Sequence, residues 1–254
     1  MPVRLEGGFR VSGWKEGEAL IQGSLRLWRH ATGAEAISLR VLEFAAGLSP
    51  GLRNSGCDEV LYVVEGTGTL FLDGSPRRVS PGTGFFLRAG VCLTVENAGP
   101  EALTLVGAQS PDPGASVAFE LPRTSPDPGA SPGGDQPFVR FSDQPTQLAD
   151  DGRSFRVLVD RDTCGARVTQ FVGMIPPGRA PDHFHEYEEV LCILEGRGRF
   201  RAGESHAEIG PGSCVFLPRG KPHCVENTGG GELRLLGVFY PSGSPAVRYS
   251  PGRM

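Results

Sequence analysis

Laid over itself with a shift of 130 residues, the chain coincides with its own second half along a continuous stretch. Glu59-Val60-Leu61 falls on Glu189-Val190-Leu191, Glu65-Gly66 on Glu195-Gly196, and Phe86-Leu87 on Phe216-Leu217. Val95-Glu96-Asn97 falls on Val225-Glu226-Asn227, and between residues 59 and 107 19 of 49 positions are identical without a gap. Identity at that density over one long period marks a duplicated structural unit. The 254 residues must therefore supply two copies of one fold of about 125 residues each. Upstream the register is weaker, but Ser24-Leu25-Arg26 still falls on Ser154-Phe155-Arg156. Residues 110–116 and 125–131 both read SPDPGAS, and PGGDQP follows the second copy. Pro and Gly at that density neither hold a helix nor pack a core, so the stretch reads as a linker. The expected boundaries are a first unit at 1–119, a linker at 120–136 and a second unit at 137–254. Within this scheme Val117-Ala118-Phe119 matches Val247-Arg248-Tyr249 and is expected to close the first unit as a strand.

Each copy reads as β structure. With Gly 37 and Pro 22 the chain is rich in the two residues that most disfavour helix interiors. Short apolar runs such as Val168–Ile175, Glu189–Leu194, Ser213–Leu217 and Glu232–Val238 are bounded by Gly, Pro or charged turns. Strands at such intervals indicate a sandwich or barrel, and no stretch carries ten residues of clean helical periodicity. A net charge of -4 gives no electrostatic footprint for nucleic acid. The longest apolar run, Val60–Val64, is too short to span a bilayer, so no membrane partner is expected. The first residues carry no apolar signal region and the six cysteines contain no Cys-x-x-Cys pair. A cytoplasmic protein with reduced thiols is the expectation.

The chemistry concentrates in the second copy. Pro181-Asp182-His183-Phe184-His185-Glu186-Tyr187-Glu188-Glu189 is followed by Pro218-Arg219-Gly220-Lys221-Pro222-His223. Alternate residues of a strand share a face, so His183 and His185 point the same way. Glu189 follows after a short turn, and His223 arrives from a third strand. Three of the chain's five histidines with one carboxylate, converging inside a barrel, make a site for one divalent transition metal ion. Fe, Mn, Ni, Cu and Zn all accept such donors.

These residues carry a family resemblance. Gly178, His183, His185, Glu189 and Gly196 resemble the first signature motif of the cupin superfamily, with one residue fewer after the first glycine. Gly212, Pro218, Gly220, His223 and Asn227 match the second motif without departure. Extended through the repeat, the chain resembles a bicupin. The resemblance implies an all-β fold of two tandem double-stranded β-helix jelly-roll barrels, with metal held by His183, His185, Glu189 and His223 in the C-terminal one. It also implies a metal-dependent enzyme on a small organic substrate, foremost a dioxygenase or other oxidoreductase in the manner of quercetinase-like bicupins. A hydrolase or isomerase similar to ureidoglycine aminohydrolases is the alternative, and a non-catalytic small-molecule-binding cupin the third. A homodimer is allowed by this reading.

The first copy departs where it matters. At the 130-residue offset the ligand positions become Arg53, Ser55, Glu59 and Leu93. A guanidinium stays protonated and leucine has no donor, so no metal is expected there. Arg53 is instead expected to face Glu59 as its counter-cation, the other reading being that both reach solvent. Gly47-Leu48-Ser49-Pro50-Gly51 matches a nucleophile-elbow pattern, but Pro50 lacks the N–H an oxyanion hole needs, so it reads as a loop. Cys192 and Cys224 alternate away from the site, and with Cys214 they read as buried, inert thiols. His30 and His206 are expected at the surface. Gln170, Met174, Arg201 and Tyr240 are the candidates for a further polar group facing the pocket.

Overall fold

The computed structural model describes residues 2–30, 36–114, 117–126 and 138–250. The second SPDPGAS copy from residue 127 onward, and with it the latter part of the expected linker, lies outside the described residues. Among those described the structure is built almost wholly of antiparallel strands. Its one α-helix is the four-residue Arg161–Cys164, started by a reciprocal Asp160–Thr163 capping box. The chain divides into two compact units, Gly17–Ser142 and a second made of Met1–Glu16 with Asp143–Met254.

In the unit Gly17–Ser142, one sheet runs Phe138–Arg140, Thr83–Leu87, Asp58–Glu65, Leu103–Ser110, Ser38–Phe44, Leu25–His30, Leu20–Gln22. The facing sheet is Ser75–Val79, Gly68–Leu72, Cys92–Asn97, Gly51–Arg53, Ala118–Glu120. Ala118–Glu120 thus closes this unit as the repeat suggests, pairing with Gly51–Arg53. Between the sheets lies a continuous apolar core that includes Leu42, Leu52, Leu61, Phe85, Leu93 and Leu105. Each of these side chains is essentially removed from water, worth about 1.5–3 kcal/mol apiece.

The other unit repeats the plan. Its larger sheet runs Val3–Arg4, Arg10–Gly13, Ser213–Leu217, Glu188–Glu195, Leu233–Tyr240, Thr169–Ile175, Ser154–Val159, Gln147–Leu148. Its smaller sheet is Gly178–Arg179, Cys224–Asn227, Gly198–Ala202, Ser205–Ile209. Both units are double-sheet jelly rolls.

Two differences from the sequence reading concern what surrounds the ungapped repeat. Residues 2–16 pack with the second unit and not the first: Arg10–Gly13 pairs with Ser213–Leu217, and Leu5, Phe9 and Val11 are buried in its core. Conversely Phe138–Arg140 pairs with Thr83–Leu87 of the first unit. Both segments add short strands to a sheet, Arg10–Gly13 burying Val11 and Phe138–Arg140 leaving Phe138 half-buried on Phe85, and self-similarity does not say to which sheet they are added. The second difference is register. Leu27 lies opposite Leu42, which lies opposite Leu105, and Phe155 opposite Gly173, which lies opposite Leu235. The offset is 130 residues from Leu105 to Leu235, 131 from Leu42 to Gly173 and 128 from Leu27 to Phe155. Ser24–Arg26 and Ser154–Arg156 are therefore not equivalent, because loops of different length precede the conserved ladder.

Candidate metal centre

The strand Glu188–Glu195 carries Glu189 into the interior of the second unit, where it is 4 % exposed. His183 and His223 form an isolated antiparallel bridge, each amide donating to the other's carbonyl at 3.0 and 2.8 Å. Phe184 turns the other way and stacks on Tyr249, so His183 and His185 share the inner face as alternation requires. One ring nitrogen of each of His183, His185 and His223 lies within 4.8 Å of the others. His185 Nε2 is 3.7 Å from Glu189 Oε2.

Each imidazole is oriented by its outer nitrogen. Nδ1 of His183, His185 and His223 lies 3.2, 3.2 and 3.0 Å from the carbonyls of Pro181, Val247 and Lys221. A carbonyl only accepts, so Nδ1 carries the proton and Nε2 keeps a lone pair for the interior. Ring packing fixes the rest. Tyr187 stacks on His185 at 4.7 Å and on Phe239 at 4.2 Å, Phe200 stacks on His223, and Phe9 meets His223 edge-on at 5.5 Å. Sequence reasoning missed these aromatic supports; alternation could have pointed to Phe200 and Phe239, but Phe9 and Tyr187 lie outside the strands.

Burial sets the protonation states. It lowers His183 to about 4 and His185 to about 3, and holds His223 well below its ordinary value. It pushes the Glu189 carboxyl up to about 8. Three neutral donors and a carboxyl without an organic cation beside it suit a divalent ion, whose charge would stabilise the carboxylate that burial disfavours. The residues fit such an ion.

Above this set opens a cavity of about 90 Å³. Phe155, Phe171 and Met174 form apolar walls, and Arg153 and Arg248 supply its cations. Gly173 also lines it, where the first unit has Leu42 in the same ladder position. In the first unit that leucine side chain is part of the apolar core between the sheets. Of the four further candidates only Met174 reaches the cavity. Gln170 is buried on the opposite face from Phe171, Arg201 pairs with Glu226 at 2.7 Å, and Tyr240 accepts from Arg167 at 2.9 Å.

In the first unit the expected Arg53–Glu59 pair is absent. Arg53 donates from Nε to Glu120 at 2.5 Å and also to the Gly90 carbonyl. Glu59, 1 % exposed, is paired with Arg40, whose Nε donates to Oε1 at 2.6 Å and whose Nη2 donates to Oε2. The ladder gives the reason. Leu93, equivalent to His223, lies opposite Leu52, so Leu52 occupies the place of His183 and Arg53 that of the outward Phe184. Asn54 then stands where His185 does: Gly90 donates to its carbonyl at 2.7 Å, as Gly220 does to that of His185. Asn54 Nδ2 donates to Glu59 Oε2 at 2.7 Å, while Ser55 plays no such part. The first unit holds one more residue than the second between this position and its glutamate.

The remaining residues divide plainly. Cys192 faces Cys214 across neighbouring strands, and the Cys224 thiol donates to the Ala180 carbonyl at 3.0 Å. All three are buried, and a hydrogen bond with the Cys192 thiol, together with burial, holds Cys214 well above its ordinary range. Ser49 is buried in a turn, its hydroxyl accepting from the Val95 amide, so it is no nucleophile. His206 is exposed as expected, but His30 is buried, since it ends the strand Leu25–His30 inside a sheet. No helix among the described residues is long and apolar enough to cross a membrane.

Comparison with known proteins places this geometry. The family profile described as Cupin domain matches residues 41–107 and again 171–239. An oxalate-binding protein of Thermotoga maritima is 37 % identical over 67 residues, covering 26 % of this chain and 55 % of that protein. An uncharacterized protein of Methanocaldococcus jannaschii is 37 % identical over 54 residues, 21 % of this chain and 43 % of its own. The chain thus matches about half the length of these curated relatives. An oxalate decarboxylase of Bacillus subtilis superposes with a TM-score of 0.74 at 13 % identity, over 94 % of this chain and 78 % of that one. That decarboxylase has Mn(II) centres. A protein from Pseudomonas aeruginosa described as glyoxylate-induced superposes at 0.71 with 18 % identity, over 99 % of this chain and 95 % of that one.

Proposed function

Since the chain belongs to the cupin family, with a cupin domain in each half, we propose that it is a metal-dependent enzyme acting on a small organic substrate. His183, His185, Glu189 and His223 would hold one divalent transition ion, and the cavity above them would receive the substrate. The observation that carries this reading is the convergence of one ring nitrogen from each of three buried histidines, each ring held by a backbone carbonyl, with the buried Glu189 carboxyl 3.7 Å from His185. Such an ion supplies Lewis-acid polarisation of a bound oxygen and, for a redox metal, activation of O2. The chain's own residues do the rest. Tyr187 and Phe200 keep the imidazoles from rotating, and Phe155 and Phe171 exclude water from the reacting end.

An oxygenase is the first reading of the reaction. The second is decarboxylation or tight binding of a small dicarboxylate, favoured by the oxalate-binding and oxalate-decarboxylating relatives. Metal analysis of the purified protein, with O2 uptake and CO2 release followed across phenols, flavonols and dicarboxylates, tests them. Oxygen uptake supports the first, CO2 release without net oxygen uptake the second. Saturable ligand binding with no turnover would make the chain a binder, and a protein that takes up no metal would overturn the proposal.

A further inference from the structure

Two guanidiniums line the cavity without being ligands to anything in it. Arg153 comes from the turn before the strand Ser154–Val159, and Arg248 from the C-terminal segment, whose Pro245 and Ala246 also line the cavity. Their side chains are only 16 % and 19 % exposed. Arg248 is anchored on its solvent side, Nη2 donating to Asp150 at 3.1 Å and Asp151 at 2.8 Å. Arg153 is less well served: its nearest described carboxylate oxygen, on Asp151, is 3.9 Å away, and its Nε reaches the Asp150 carbonyl at 3.4 Å. A largely buried cation calls for a well-placed anion, and here the polar side of the cavity holds no acid but Glu189. Burial and the nearby Arg248 charge both disfavour the Arg153 cation, which is the environment an incoming anion would relieve.

We propose that Arg153 and Arg248 select for a small organic anion, their guanidiniums receiving a carboxylate of a substrate whose other oxygen end reaches the histidine set. The inference rests on the metal-dependent reading for where that other end lies. Arg153 is the principal recognition residue. Arg248 is positioned by Asp150 and Asp151, which lie outside the cavity lining and leave its remaining donors for the ligand.

Calorimetric titration with malonate and with the uncharged malonamide, on the full chain before and after loading with Mn(II), tests this. Malonate should bind and malonamide should not. Arg153→Gln should weaken malonate about tenfold or more, as expected when a charge-assisted pair is lost, and Arg153→Lys should recover part of it. Metal content and melting temperature, measured on the same samples, should stay at the wild-type values in both variants. If Arg153→Gln and Arg248→Gln bind malonate as tightly as the wild type, the inference is overturned while the metal reading stands. If malonate binding depends on Arg153 in a protein that takes up no metal, the metal reading fails and anion selection survives.

Discussion

Glu189 and Glu59 occupy the same place in their barrels, each opposite a leucine on one side and residue 239 or 109 on the other. What faces each carboxyl separates the two units. Glu59 meets Arg40 and Asn54, and a Cβ on Gly107 would collide with its carboxylate. Phe171 stands in the place of Arg40, opposite Gly237 as Arg40 is opposite Gly107. Removing one member of a buried ion pair leaves the other charged and unpaired, so Arg40→Met should destabilise the protein by about 3–5 kcal/mol. Arg40→Met with Glu59→Leu should recover most of that in urea denaturation, without altering metal content. At the second site, Glu189→Gln or His223→Ala should cut metal content sharply, whereas Leu93→Ala should leave it unchanged. The titrations have opposite signs. In the metal-free protein Glu189 is raised to about 8, so its share of stability is present below its unfolded value near 4.5 and is lost as pH rises through about 8. His183 and His185 are lowered, so theirs is present above 6.5 and is lost as pH falls towards about 4 and about 3. Near pH 7 the histidines are already neutral, and metal binding should release about one proton, from Glu189. Calorimetry in buffers of different ionisation enthalpy measures it. Retention of that proton release in Glu189→Gln would disprove the assignment.

At the scale of elements, the segment from Ser244 to Ser250 ties sequence to site. Its Val247 carbonyl orients His185, its Tyr249 exchanges two backbone hydrogen bonds with Phe184, and its Arg248 grips Asp150 and Asp151. Ending the chain at Gly243 should therefore lower metal affinity by about 10–100-fold, the usual effect of losing an outer-shell partner. Competition with a chelator of known affinity reads this directly. The gathering of His183, His185 and His223 was legible in the sequence because a β ladder converts His183-x-His185 and a fixed hairpin spacing into one shared face. The supporting carbonyls were not, since backbone groups leave no trace in side-chain pattern. Arg53 was misjudged for a related reason. Period-2 alternation turns a one-residue insertion between positions 54 and 59 into a reversal of face, so an ungapped offset named the outward neighbour of the true equivalent. Gly173 was not legible either, since the ungapped offset sets it against Glu43 and only the ladder brings it to the place of Leu42.

For the whole molecule, the duplication does not by itself define what can fold alone. The unit that holds the histidines takes Leu5, Phe9 and Val11 from the far end of the chain, and Phe9 packs on both Phe200 and His223. Their burial contributes about 1.5–3 kcal/mol each before any entropy is charged. Three such side chains approach the 5–15 kcal/mol that keeps a typical domain folded. A fragment 137–254, cut where the repeat suggests, should therefore lack a cooperative thermal transition or melt far below the intact protein. It should also bind metal poorly, because His223 loses one of its two aromatic supports. Adding a peptide of residues 2–16 should restore both the transition and metal binding, with a midpoint that rises with peptide concentration as linkage requires. The same peptide carrying Phe9→Ala should restore little, since the side chain that spans Phe200 and His223 is gone. Circular dichroism melts of the fragment with each peptide, paired with metal analysis, decide it. A fragment 137–254 that melts like the intact protein without the peptide would show that the first sixteen residues are ornament on a barrel already complete.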